Sequence, residues 1–82
     1  MIQQKQLILH NDSKNTVDFV RACLIRYCEH EFMQAEQLVV LAQGHKKASI
    51  KEGDFLELHQ IQQKLIKKGL TVELIEKVEL CK

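Results

Sequence analysis

Leu7-Ile8-Leu9-His10-Asn11-Asp12-Ser13-Lys14-Asn15-Thr16-Val17-Asp18-Phe19-Val20 is the stretch on which the reading of this chain turns. Leu7 to Leu9 is a short apolar run that ends in turn chemistry, which is the pattern of a buried strand. From Asn11 to Asn15 the Asn, Asp and Ser side chains are of the kind that fold back on their own backbone and close a turn. Asn15, with Asp18 three residues on, is placed to cap a helix. Val17, Val20, Leu24 and Cys28 then recur at helical spacing, with Phe19, Cys23 and Tyr27 beside them, so the helix is apolar on two sides and is expected to run to about Cys28. Strand, tight turn and capped helix thus follow one another without a spare residue.

Outward from this stretch the periodicities continue. Glu29-His30-Glu31 interrupts the first helix, and Phe32, Ala35, Leu38, Val39 and Ala42 resume the helical spacing. Gly44 suits a left-handed helix end, with His45, Lys46 and Lys47 near the negative end of the dipole. Ala48-Ser49-Ile50 is a weak second strand. Asp54 caps the clearest helix, in which Leu58, Ile61, Leu65 and Ile66 form one face and Gln60, Gln62, Gln63, Lys64 and Lys67 the other; Gly69 stops it. Thr71 to Val78 alternates in part and reads as a half-exposed strand. The order is β-α-α-β-α-β. A small three-stranded sheet with three helices on one face buries all these apolar sets, which makes an α+β, two-layer fold.

Length and composition bound the function. Residues 1–82 read as a single domain, and a chain of this size buries only roughly 60% of its unfolded surface. That leaves little room for an enclosed active site, and neither the motifs nor the composition supports an enzyme. Twelve basic residues against 11 acidic give a net charge of +1, without the basic face that nucleic acid would require. No apolar run approaches the roughly 20 residues of a membrane span, and the amino terminus lacks a signal pattern. Three cysteines, an odd number, do not make a disulfide framework, so a reduced, cytoplasmic protein is expected. A metal or redox centre would have to draw on His10, Cys23, Cys28, His30, His45, His59 and Cys81. None of these pairs has Cys-x-x-Cys or His-x-x-x-His spacing. Cys23 and Cys28 point about 140° apart on one helix. No cofactor or metal is expected.

The opening stretch resembles the start of the ClpS adaptor family, in which an apolar strand runs into Asn-Asp-Asp, a Thr-Pro-Met turn, and an acidic residue, Phe and Val. Asn11, Asp12, Asp18, Phe19 and Val20 match; Ser13 replaces the second Asp, and Asn15-Thr16-Val17 stands where the family has Thr-Pro-Met. Ala35-Glu36-Gln37-Leu38 resembles the core of the family's second helix. Lys47-Ala48 resembles the start of its next strand, and Asp54-Phe55-Leu56-Glu57 the opening of its third helix. The resemblance covers about Lys5 to Lys77. It implies a non-catalytic adaptor that holds the free, bulky amino-terminal residue of an N-degron substrate and presents it to a Clp-type AAA+ unfoldase.

A peptide ammonium offers three donors and no acceptor, so its site needs converging acceptors, at least one of them charged. The resemblance places Asn11 and Asp12 there. A family histidine late in the second helix corresponds, without gaps, to Gln43, whose amide oxygen accepts but whose side chain does not titrate. The apolar pocket carries over to Val17, Val20, Val39 and Ala42, with Leu70 or Thr71 beside them. Val17 and Val39 stand where methionine is usual; valine is shorter and stiffer, so the pocket is expected to differ in shape and to be narrower in specificity. The unfoldase contact carries over to Asp54, Glu57 and His59, the last standing where the family has Lys. Only five residues precede Gln6, fewer than the family's amino-terminal extension, so binding without delivery or a different unfoldase is also open. The alternative is a degenerate ClpS-like interaction domain without amine binding. The same element order occurs in the carboxy-terminal domain of the ribosomal stalk protein, whose basic helix face this chain lacks.

Overall fold

The computed structural model describes residues 4–11 and 14–76. Strand β1 spans Lys5–His10, helix α1 Val17–Cys28, helix α2 Phe32–His45, strand β2 Lys47–Gly53, helix α3 Phe55–Lys67 and strand β3 Thr71–Glu76. The expected order is therefore found. The sheet has the order β2-β1-β3, and β1 pairs antiparallel with both neighbours.

Register puts most of the apolar strand positions on one face, with Ile8 and Ile75 on the other. Leu9 lies opposite Ala48 on one side and Val72 on the other, and Leu7 opposite Leu74; a bulge between Leu7 and Ile8 shifts the pairing with β2. Leu7, Leu9, Ala48, Ile50 and Val72 pack against Cys23, Leu24 and Cys28 of α1, Ala35, Val39 and Ala42 of α2, and Leu58 and Leu65 of α3. Those side chains form the core between sheet and helices. The strand side chains of opposite parity face away, since successive residues alternate across a strand. His10 is one of them, with its Nε2 2.9 Å from Glu73 Oε1.

Several local readings are corrected. Helix α1 is capped by Thr16, not Asn15: Thr16 Oγ1 accepts from the Phe19 N–H at 3.1 Å. Asn15 instead donates from Nδ2 to the Gly69 carbonyl at 2.9 Å. Helix α2 does not end at Gly44 but continues to His45, and the left-handed residue is Lys46 at φ 72°. Gly69, at φ 94°, does stop α3 as its glycine freedom allows. Strand β2 runs from Lys47 to Gly53, well beyond Ala48–Ile50. Phe32 and Ile66, assigned to buried faces, are exposed. Phe32 lies beneath the Arg21 guanidinium, 4.8 Å from its ring centre, and Arg21 also bonds Asp18 at 2.6 Å and Glu36 at 2.8 Å, tying α1 to α2. The end of the last strand at Val78 and the third cysteine, Cys81, lie outside the described residues.

Candidate functional site

Where β1 ends, three elements meet. The Asn11 N–H donates to the Lys46 carbonyl at 2.8 Å, so the end of β1 is bound to the turn between α2 and β2. That bond carries the last turn of α2, with Ala42 and Gln43, up to Asn11. The Asn15 bond to Gly69 holds Asn15 against the turn before β3. Thr16 then starts α1, which brings Val17 and Val20 over the same spot.

The result is a cleft lined by Leu9, His10, Asn11, Asn15, Val17, Val20, Val39, Ala42 and Gln43, with a cavity volume of about 40 Å³. Its floor is apolar: Leu9, Val39 and Ala42 are all buried, Val20 is half-buried, and Val17 is exposed at the rim. Polar groups sit beside that floor. Asn11 and Gln43 are exposed and offer amide oxygens as acceptors.

The cleft brings together Asn11, Gln43, Val17, Val20, Val39 and Ala42, six residues singled out from sequence. Leu70 is buried in the core and is not among the lining residues. Asp12 lies outside the described residues. No carboxylate is present among the described lining residues. The positive end of α1 and the negative end of α2 meet at the cleft with opposed dipoles, so a charged ligand would be chosen by side chains rather than by helix ends.

Leu9, His10 and Asn15 line the cleft although the sequence does not assign them to it. Their one signal is adjacency, since each lies within four residues of Asn11. Sequence spacing raises His10 only as a metal ligand, and its imidazole pairs with Glu73 on the other side of the sheet. Among the described residues no group of three or more His, Cys, Asp or Glu side chains is placed to hold a metal.

The three residues carried over to an unfoldase contact cluster at the start of α3. Asp54 Oδ1 accepts from the Glu57 N–H at 2.8 Å, capping the helix, while both side chains remain exposed. His59 is half-buried and stacks on the exposed Phe55, ring centres 5.2 Å apart. This cluster stands apart from the cleft.

Cys23 and Cys28 are free and buried. Burial raises both thiols, Cys28 to about 11 against an ordinary 9.0, with Lys51 opposing slightly. Neither thiol is a nucleophile near neutral pH. No helix among the described residues is long and apolar enough to cross a membrane.

No curated protein matches the chain in sequence. Among solved structures, Agrobacterium tumefaciens ClpS2 bound to L-phenylalaninamide is similar in fold, with a TM-score of 0.80 over 94% of this chain and 100% of that one, at 12% sequence identity. The family model for the ATP-dependent Clp protease adaptor protein ClpS matches residues 3–73. With two strands, all three helices and the start of β3 inside that match, the chain belongs to the ClpS family, whose members are adaptors rather than enzymes.

Proposed function

We propose that this chain is a cytoplasmic Clp adaptor that binds the free amino terminus of N-degron substrates and presents them to a Clp-type AAA+ unfoldase. The observation that carries the reading is the cleft itself. Its apolar floor of Val39 and Ala42 adjoins two amide acceptors, Asn11 and Gln43, at one junction of strand and helices. An ammonium beside a first side chain matches that arrangement: donors meet acceptors while the side chain enters the apolar recess. Asp12, next in sequence to Asn11, supplies the charge that strengthens such bonds. L-phenylalaninamide, the ligand of the similar Agrobacterium protein, has a free α-amino group and a blocked carboxyl, as the amino end of a peptide does. Asp54, Glu57 and His59 at the start of α3 form the contact for the unfoldase, leaving the cleft open to substrate.

Fluorescence anisotropy with peptides labelled at their carboxyl end tests the reading. Peptides beginning with Ala, Leu or Phe are each compared with the acetylated twin, for the native chain and for Asp12→Ala and Asn11→Ala. At least one free peptide should bind about tenfold or more tighter than its twin, because acetylation removes charge-assisted bonds, and Asp12→Ala should abolish that difference. Equal binding of every free and acetylated pair would reject amine recognition.

A further inference from the structure

We infer that the cleft admits only a small first side chain, that of alanine or serine, and excludes the aromatic and long aliphatic ones; this rests on the proposed amine-binding reading. The cavity is about 40 Å³. An engineered apolar cavity that holds benzene has about 150 Å³, whereas a single water needs about 10–15 Å³ of such space. The recess therefore holds a few heavy atoms beyond the Cα of a bound residue and falls far short of a phenyl ring.

The walls explain why it stays small. Val17 and Val39 face the cleft from α1 and α2, and both belong to helices, in which a β-branched side chain has one strongly preferred χ1 rotamer. Neither can swing aside as an unbranched side chain would. Val39, 4% exposed, and Ala42, 3% exposed, are backed by the core, so the floor cannot retreat. The backbones are fixed too: the Asn11–Lys46 bond holds α2's end to β1, and the Arg21–Glu36 pair ties α1 to α2. Among the described apolar lining residues Val17 alone is exposed, at 37%, so it is the apolar side chain that borders the opening.

Specificity is read by competition anisotropy with free-amine peptides beginning with Ala, Ser, Val, Leu and Phe, identical thereafter, each beside its acetylated twin. The Ala and Ser peptides should bind in an amine-dependent way and about tenfold or more tighter than Leu and Phe, because each excess methylene must be forced into a packed wall. Val39→Ala should narrow that gap by enlarging the recess from within. Val17→Ala, at an exposed position that the fold does not need, should do so from the rim even if Val39→Ala fails to fold. Amine-dependent binding of Phe or Leu as tight as that of Ala would overturn the size limit and leave amine recognition standing. Loss of amine dependence across the whole set would remove both together. An unaltered ratio in a folded Val17→Ala chain, with Val39→Ala also folded and unaltered, would show that these valines do not set the limit and overturn the assignment.

Discussion

Cys28 is 1% exposed and belongs to the buried core, together with Leu24, Ala35, Ala48 and Ile50. Burial away from water disfavours the thiolate, so the thiol is pushed up to about 11 from an ordinary 9.0. The sign of the resulting pH dependence follows. The folded form holds its proton more tightly than the unfolded form, so the contribution to stability is complete below pH 9 and is lost as pH rises towards 11. A pKa raised from 9.0 to about 11 sets a ceiling of roughly 2–3 kcal/mol on that loss. Urea unfolding at pH 8 and pH 10.5 measures it; Cys28→Ala is expected to be less stable at pH 8 but to lose less between the two. The same burial keeps Cys28 unreactive to alkylation at pH 7.5 until the chain is unfolded. At this scale the sequence is informative where chemistry is local. Asn11 and Gln43 are reached through the resemblance to the ClpS family rather than through residue type alone, and both border the cleft. Leu70, carried over from the family's last strand, is buried in the core and is not among the residues lining the cleft.

At the scale of elements, the legible parts are those whose signals reinforce one another. Helix α3 has an Asp54 cap, Glu57 in its first turn, a periodic apolar face and Gly69 after its end, and it spans Phe55–Lys67 as those signals require. Helix α1 is legible too, but its cap falls one residue later than Asn15, because both Asn and Thr cap helices and only backbone geometry chooses between them. Thr16→Ala is expected to cost about 1 kcal/mol in chemical denaturation by leaving the Phe19 N–H without its partner, and to loosen the wall that carries Val17. Helix α2 misleads in a different way. Its apolar residues surround it, so periodicity cannot say that Phe32, Met33, Val40 and Leu41 face outward while Ala35, Val39 and Ala42 face inward. Strand β2 reads too short because Lys51-Glu52-Gly53 looks like a loop. It lies at the edge of the sheet, where charged residues are tolerated and discourage pairing with other chains.

The whole molecule is a sheet with its central strand ending at the site. β1 is paired on both sides, so its end is a rigid point, and α1's start and α2's end are brought to it by the chain's own turns. The two-layer arrangement is legible from the order β-α-α-β-α-β and its apolar sets, whereas the meeting of these ends at one place is what the resemblance to the ClpS family implies. The size of the recess is not legible. Valines at 17 and 39 announce a change of shape, but the volume left between them depends on how closely two helices approach, which the packing of Ala35, Val39 and Ala42 against the sheet decides. Asp12, the proposed acidic member of the site, lies outside the described residues, and the Asp12→Ala variant tests its contribution.

The most direct measurement is a two-dimensional amide NMR titration of the labelled chain with alaninamide and with N-acetylalaninamide. Free alaninamide should shift the amides of Asn11, Asp12, Val17, Val39 and Gln43 and leave those at the start of α3 in place, while the acetylated compound shifts none of them. Shifts confined to another surface, or the same shifts from both compounds, would contradict an amine site at the end of β1.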